Sequence, residues 1–391
     1  MKFNKYLIPG ILIVCTVFNV SFLVYNTRNL YFISYNEKKY ELKYNNSQYV
    51  IPQSKQVIGD TILLSHAGYQ YAKGLNPILI NPDHPPLGKY IIGWSILLFH
   101  NNALVSLVFG IGCMIVVAGI VYISTRSLIA SLLALFLTST DGVLREQVLH
   151  PPMLDIIQAF FMLVAFMFVI LFVKHKKYIF ILLAGIAIGC MGSTKLYFPA
   201  IGLIVITIVA LLYHYRSVKT TVISALLLSV TAFITYTLSY TIYFANGNSL
   251  RSFFGVQKWI FLFWQMNAIH KPELFGNMIP LILFNKWRVW WGDQPYIAYD
   301  KWNMLLPLFF ITGISLSLYW LFVIVVKNKQ VQHTTRFSLF LFSLWIISCT
   351  VYYLFIPMYP RYLMLLYFPI YILIGISLTA TEKKKSGTMV R

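Results

Sequence analysis

Long apolar stretches separated by shorter polar segments dominate the chain, and their length predicts helices rather than strands. Ten of these stretches are close to the ~20 residues that an α-helix needs to cross the hydrocarbon core of a bilayer. They lie at residues 6–26, 101–124, 127–143, 153–173, 178–194, 197–214, 220–244, 303–326, 337–356 and 362–380. The pattern therefore predicts an all-α integral membrane protein in which residues 1–391 form a single polytopic domain with about ten transmembrane helices.

Two long polar segments, residues 27–88 and 245–302, are predicted as large loops on one side of the membrane. The front half of the first loop is predicted to be extended or irregular, whereas residues 61–73 predict a short amphipathic helix capped near Asp60. Residues 89–99 are apolar but too short to span alone, so we expect them to begin the second span obliquely or to lie in the interface. The second loop carries six tryptophans, which favour the headgroup layer: Trp259, Trp264, Trp287, Trp290, Trp291 and Trp302.

The composition excludes a soluble protein, because 59% of the residues are hydrophobic and only 11% are charged, against about 25% charged in soluble domains. The sequence contains no nucleic-acid-binding motif, and the orientation of the apolar stretches in the membrane explains the basic residues behind the formal net charge of +20. Membrane lipids are therefore expected as partners, and nucleic acid is not. All four cysteines lie inside apolar stretches and match no metal-binding or disulfide pattern.

The basic residues indicate the orientation. With the N-terminus inside, the short cytoplasmic loops are rich in Lys and Arg, as the positive-inside rule requires. Glu382 is then the only acidic residue on the cytoplasmic side. Both termini are therefore predicted to be cytoplasmic and both large loops external, so carboxylate chemistry is expected outside the cytoplasm.

Residues 83–89 (DHPPLGK) place an acid, an imidazole and a lysine at a membrane boundary, where charge is expensive and usually functional. The two prolines suit the first turn of a helix, which would begin near Leu87. Its free N–H groups and Lys89 could hold an anion, with Asp83 and His84 beside it. The alternative is ordinary punctuation of a helix boundary.

Two further acids are candidates for chemistry. Asp60, in the first loop, is suited either to capping the helix that follows or to accepting a proton from a hydroxyl group. Asp155 lies roughly one turn into a predicted span, where an acid must be paired or face a cavity.

Two cations lie at places on the predicted external side where the positive-inside rule least favours them, Lys195 and Arg361, and a third, Arg145, lies with Glu146 in the loop 141–152. A phosphate ligand would explain Lys195 and Arg361, whereas snorkelling of the side chain to the interface is the alternative for Lys195. The sequence has no Walker loop, dinucleotide fingerprint, nucleophile elbow or clustered zinc ligands, so a donor substrate would come from the membrane.

The order of these features resembles a known group. Residues 83–89 look like the His-Pro-Pro-Leu-Gly-Lys motif of the protein O-mannosyltransferases and their bacterial relatives, which belong to the GT-C superfamily of polyprenyl-phosphate-sugar-dependent glycosyltransferases. An acid precedes the motif, and Asp155, residues 193–195 (STK) and Arg361 follow it in the family's order. The clear similarity covers about residues 58–200, and weaker similarity extends to residue 370. Thr61 replaces an acid that the family usually has, and Arg145 lies further from Asp155 than in the family.

The resemblance implies a GT-C multi-helix bundle whose active site faces away from the cytoplasm. A sugar would pass, with inversion, from a polyprenyl phosphate to a hydroxyl group of a protein, lipid or glycan. Asp60 would be the general base, and Asp60 and Asp155 could hold a divalent metal ion. Asp83 and Asp155 would position the acceptor, the sugar or the ion, and His84 would position the substrate. Four cations would bind the donor phosphate: Lys89, Lys195, Arg145 and Arg361.

Two other classes of function fit parts of the pattern. A transporter or flippase of a lipid-linked or small anionic substrate would also have many helices and buried charge, but inverted repeats and matching broken helices are not evident in the sequence. A ligase or polymerase of lipid-linked carbohydrate would use a similar donor. Only the glycosyltransferase interpretation explains the order of the motifs.

The predicted topology can be tested by cysteine labelling in intact cells. A membrane-impermeant reagent should label Asn45→Cys, in the first external loop, and should leave Lys384→Cys unlabelled because that position is expected to be cytoplasmic. Labelling at position 384 would reverse the orientation and move the candidate site to the cytoplasmic face.

Overall fold

A computed structural model of the protein describes residues 4–266, 274–289, 296–327 and 331–382. Within these ranges the regular secondary structure is helical, and strand-like pairing is limited to two isolated bridges. A π-helical segment, Phe322–Val326, and a 3-10 turn, Pro360–Leu363, accompany the α-helices. The α-helices are α1 (Asn4–Phe32), α2 (Glu37–Asn45), α3 (Asp60–Ala72), α4 (Leu87–Phe99), α5 (Leu104–Thr125), α6 (Leu128–Ser139), α7 (Gly142–Leu149), α8 (Leu154–His175), α9 (Ile179–Thr194), α10 (Phe198–Tyr215), α11 (Val218–Leu238), α12 (Thr241–Ala245), α13 (Leu250–Trp264), α14 (Met278–Phe284), α15 (Leu305–Leu321), α16 (His333–Leu354) and α17 (Met364–Glu382).

Eight helices in the described part of the chain are long and apolar enough to cross a membrane, and they coincide with eight of the ten predicted spans. The third predicted span is instead the bent pair α6 and α7, and the fifth is α9, which has only 16 residues. The count is therefore eight, or nine when the bent pair is taken as one span. The predicted class, an all-α multi-pass membrane protein, is confirmed, while the orientation of the termini stays a prediction.

The bend between α6 and α7 has a local cause. The two helices are inclined by 53°, and Asp141 lies between them. Its Oδ1 accepts a hydrogen bond from the Leu144 N–H at 2.7 Å, which caps α7, while its Oδ2 accepts one from the Tyr371 hydroxyl at 2.6 Å. A capped helix start inside an apolar stretch ends one helix and begins another, so hydropathy alone predicts a straighter span than the structure has.

Helix α3, in the first loop, packs closely against α4, which follows that loop. The predicted helix at residues 61–73 is confirmed as α3, and residues 89–99 belong to a short helix that begins at Leu87, as expected. The backbones of the pair touch at Gly68 and Gly93, because a Cβ atom on Gly93 would lie 2.0 Å from the Gly68 carbonyl oxygen. Side chains at these two positions would force the helices apart.

Two local predictions about the first loop are wrong. The front half contains α2 rather than an irregular segment, because the Asn36 side chain caps that helix by accepting the Lys39 N–H at 2.9 Å. Asp60 is not the cap of α3: the N-cap residue is Gly59, and Asp60 is the first residue inside the helix. The Asp60 carboxylate is directed to another partner, Arg361.

One hydrophobic core runs through the bundle and contains buried side chains from Leu64 to Ile376. Among the eight candidate spans, those formed by α8 and by the 3-10 turn with α17 are the most buried, whereas α1 is the most exposed. The first turns of these two buried segments carry charged residues that the sequence analysis selected, Asp155 and Arg361. The most enclosed helices therefore position the candidate site.

Candidate active site

Four charged side chains meet where the ends of four helices converge. Asp60 begins α3, Asp155 lies in the first turn of α8, Lys195 follows α9 and Arg361 precedes α17. Arg361 Nη2 lies 2.8 Å from Asp60 Oδ2, and its Nε lies 3.4 Å from Asp155 Oδ2. Lys195 Nζ contacts the other oxygen of Asp155. We call these four residues the charged cluster.

The charged cluster is electrically balanced and unevenly buried. Two carboxylates face two cations, and the Asp155 and Lys195 side chains are only 6% and 5% exposed. The Asp60 side chain is 41% exposed. Burial lowers the pKa of Lys195 to about 8, although the neighbouring Asp155 acts in the opposite direction. The cluster therefore has a deep ion pair and a carboxylate that solvent can reach.

Gly88 explains why the motif around residues 83–89 packs against the charged cluster. A Cβ atom on Gly88 would lie 2.7 Å from Leu154 Cδ2 and 2.9 Å from the carbonyl oxygen of Thr194. These neighbours immediately precede Asp155 and Lys195 in the chain. The absence of a side chain at Gly88 therefore lets three separate motifs meet at one point.

Lys89 does not reach the charged cluster, in contrast to its predicted role at the donor phosphate. Its Nζ is completely buried and donates hydrogen bonds to the backbone and side-chain oxygens of Asn81 and, at 2.8 Å, to the His84 carbonyl. Three acceptors satisfy the three N–H donors of an ammonium group. Burial lowers the pKa of Lys89 to about 7, with Asp83 opposing the shift. Its position indicates a side chain that shapes the loop preceding α4.

Asp83 and His84 form a pair beside that loop. His84 Nδ1 lies 3.2 Å from Asp83 Oδ2, and the Trp264 indole donates to the Asp83 carbonyl at 2.8 Å. The Trp264 ring also meets the His84 imidazole edge-on, with 5.1 Å between ring centres. Burial raises the pKa of the Asp83 carboxyl, but His84 and Lys89 outweigh burial and hold it below its ordinary value. Asp83 is thus a stably ionised acid.

Arg145 lies elsewhere, so its predicted place at the donor phosphate is not supported. Its guanidinium donates to the Asn19 side chain at 3.2 Å and to the Ser139 carbonyl at 3.4 Å, and it thereby links α7 to α1. The neighbouring Glu146 accepts a hydrogen bond from the Tyr299 hydroxyl at 2.6 Å, which ties the second loop to α7.

Two residues that the sequence analysis did not select, Gln158 and Tyr362, complete the site. Gln158, one turn after Asp155, donates to the Leu196 carbonyl at 3.0 Å and the Met191 carbonyl at 3.3 Å. These bonds fix the backbone on either side of Lys195, whose ammonium lies 4.1 Å from the centre of the Tyr362 ring. A polar residue one turn from a buried acid in an apolar stretch was the signal that could have identified Gln158.

Two tryptophans of the second loop, Trp264 and Trp287, donate hydrogen bonds to the backbone next to the site. The sequence analysis assigned them only to the headgroup layer. Besides Trp264, the Trp287 indole donates to the Met358 carbonyl at 2.6 Å, and its ring lies 5.7 Å from that of Tyr359. Tyr359 in turn lies under the Arg361 guanidinium, 4.6 Å from its ring centre. Trp290 and Trp291 lie outside the described residues.

A cavity joins the charged cluster to the apolar interior. Asp155, Lys195 and Arg361 line its polar end, which has a volume of about 30 Å³. A second cavity of about 110 Å³ continues between α10 and α16, and the two share four lining residues: Pro199, Tyr352, Tyr353 and Leu365. We call these two adjacent cavities the α10–α16 crevice. At about 30 Å³ the polar end is smaller than a sugar phosphate, which therefore enters it only if side chains move.

The charged cluster does not fit a resident divalent metal ion. Within the described ranges, no group of three or more His, Cys, Asp or Glu side chains is placed to hold a metal. Arg361 already contacts both Asp60 and Asp155, and Lys195 contacts Asp155 as well. Cations of the protein thus contact three of the four carboxylate oxygens that a hard metal ion would need. Metal dependence stays a prediction.

Comparison with known proteins supports the resemblance found in the sequence. Residues 101–252 match the family model described as dolichyl-phosphate-mannose-protein mannosyltransferase. The fold is similar to the crystal structure of the apo oligosaccharyltransferase of Archaeoglobus fulgidus, with a TM-score of 0.51 and 13% sequence identity. The similarity covers 96% of this chain and 51% of that one, so the chain spans about half the length of this relative. No curated protein sequence matches the chain.

The fold and the family match agree with each other. Both point to GT-C glycosyltransferases, so the predicted resemblance to this superfamily is confirmed. At 13% identity the structural similarity establishes the fold alone, and the substrates have to be argued from the site.

Proposed function

We propose that the protein transfers a sugar from a polyprenyl phosphate to an acceptor hydroxyl group on the non-cytoplasmic face of the membrane, with inversion at the anomeric carbon. One observation carries the proposal: two cations of the charged cluster line a cavity that borders an apolar cavity in the membrane part of the bundle. A lipid-linked phosphate has the same two parts, an anionic head and a hydrocarbon chain.

The phosphate would lie against Lys195 and Arg361. In the reaction the bond between the anomeric carbon and the phosphate oxygen breaks, and polyprenyl phosphate leaves as an anion. Positive charge that is already in position where negative charge develops is usually the largest contribution to such a reaction. Asp155 would keep Lys195 and Arg361 in place through its two oxygens.

The hydrocarbon chain would occupy the α10–α16 crevice. Apart from the charged cluster, its walls are mainly apolar and aromatic, with Trp345 and Leu365 among them. Contact with this wall would supply binding energy that is the same for substrate and product lipids, so it would favour binding rather than the chemical step.

Asp60 would act as general base, because its carboxylate is the exposed one of the cluster. The acceptor hydroxyl attacks the anomeric carbon while its proton passes to Asp60, which balances the charge carried away by the phosphate. Asp83 and His84, held by Trp264, would position the acceptor or the sugar beside this base.

A direct test is to incubate the purified full-length protein in lipid nanodiscs with a panel of polyprenyl-phosphate sugars and candidate acceptors. We expect release of free polyprenyl phosphate together with glycosylated acceptor, and Asp60→Asn should reduce the rate about 10²- to 10⁴-fold while remaining folded. Movement of the intact donor across the bilayer without cleavage would instead support a flippase. Normal turnover in Asp60→Asn would exclude Asp60 as the base.

Lys195 is expected to bind the donor phosphate in its charged form. Lys195→Ala should lower kcat/KM about 10- to 100-fold, since a hydrogen bond to a charged group is lost, and Lys195→Arg should restore part of it. Because burial lowers the pKa of Lys195 to about 8, kcat/KM of the wild-type protein should fall as the pH rises through this value, whereas that of Lys195→Arg should persist to higher pH. Equal activity in the wild type and Lys195→Ala would leave the ion pair with Asp155 as the only role of Lys195.

Binding of the donor's hydrocarbon chain in the crevice can be tested by a substitution that fills part of the space. Gly202 lines the α10–α16 crevice, and a Cβ atom there would meet nothing within 4 Å. Gly202→Leu should raise the KM for long-chain donors about tenfold, by displacing a few methylene groups of the lipid. The matched control is Gly119→Leu in α5, where a Cβ atom also meets nothing within 4 Å. Equal KM values in the two variants would argue against the crevice as the lipid site.

A further inference from the structure

The guanidinium of Arg361 lies between two carboxylates. Its Nη2 is 2.8 Å from Asp60 Oδ2, whereas its Nε is 3.4 Å from Asp155 Oδ2 and makes no hydrogen bond. The Tyr359 ring supports the group from one side, 4.6 Å from its centre. The shorter of the two contacts of Arg361 is therefore with the residue that the proposed function assigns as general base.

The contacts of the cluster differ in how easily they separate. Asp155 and Lys195 are only 6% and 5% exposed, and separating a buried ion pair leaves a charge without a partner in a medium of low dielectric constant. Asp60 is 41% exposed, and an exposed carboxylate regains water when it loses its partner, so such pairs contribute little. An arriving anion would therefore separate Arg361 from Asp60 and leave Asp155 in place.

We propose that Arg361 is a latch that keeps Asp60 out of use as a base until the donor phosphate binds. This inference rests on the proposed function. With no donor, Arg361 Nη2 lies 2.8 Å from Asp60 Oδ2, so this carboxylate oxygen faces a guanidinium and not an acceptor hydroxyl group. The donor phosphate takes over that end of the guanidinium, and the released Asp60 oxygen can then receive the acceptor proton.

The latch predicts a fixed order of events. In the balanced cluster Asp60 already neutralises one end of the Arg361 guanidinium, so this ion pair competes with the donor phosphate for that end. In return, the base is available only when the donor is present. Arg361 remains stacked on Tyr359 and close to Asp155 throughout, so only one end of the guanidinium changes its partner.

The test is to measure binding of farnesyl phosphate, a polyprenyl phosphate without sugar, to the purified protein in nanodiscs. Asp60→Asn should bind it about two- to fivefold more tightly than the wild type, because an exposed ion pair no longer competes with the phosphate. A merely structural role of Asp60 predicts unchanged or weaker binding. In an Arg361→Gln background, Asp60→Asn should give no gain, because the competing contact is already absent.

Glu37→Gln is the matched control. Glu37, the first residue of α2, pairs at 3.2 Å with Lys73, which follows α3, and the Glu37 side chain is 39% exposed, close to the value for Asp60. Its removal should leave the affinity for farnesyl phosphate unchanged. If Asp60→Asn binds no more tightly than the wild type, the latch is refuted while the proposed function stands. If the wild type binds no farnesyl phosphate at all, both are refuted.

Discussion

The buried ion pair between Asp155 and Lys195 is the interaction on which this end of the bundle depends. Breaking such a pair by removing one partner typically destabilises a protein by about 3–5 kcal/mol, because the remaining charge stays buried without compensation. The start of α8 and the junction after α9 therefore have to stay together. Gln158 and Gly88 serve the same junction, one by hydrogen bonds to its backbone and the other by leaving room for α4.

Around this fixed pair, the loops are attached through backbone carbonyls. Trp264 holds Asp83 and Trp287 holds Met358, so a single loop supports both the segment before α4 and the segment before α17. Lys89 holds the first of these segments from inside. Such a frame keeps charged groups in position before the substrate arrives, which is the main requirement of electrostatic catalysis. The exposed carboxylate, Asp60, is then the group that remains free to change partners.

The similarity to the archaeal oligosaccharyltransferase is one of fold and not of length, because it covers 96% of this chain and 51% of the other. A shared membrane fold carries many chemistries, so function has to be argued from the site. In this protein a charged cluster borders an apolar crevice, an arrangement that neither the family match nor the fold specifies by itself.

The sequence alone determined the membrane class, most of the spans and most of the charged cluster. Apolar stretches of bilayer length can only be helices, and Asp155 could be selected because an acid at that depth needs a partner. The sequence did not reveal which cations serve which acid. Lys89 and Arg145 have the same chemistry as Lys195 and Arg361, yet one closes a loop and the other binds α1.

Tertiary structure decides which cation pairs with which acid. Asp60 and Arg361 lie far apart in the sequence and meet only when α3 and the turn before α17 are packed in the bundle. Tertiary structure also decides whether Asp60 caps α3. Local preference favours that role, whereas the folded protein supplies a guanidinium as a stronger partner. Local patterns thus defined the helices, and long-range packing defined the pairing of charges on which the chemistry depends.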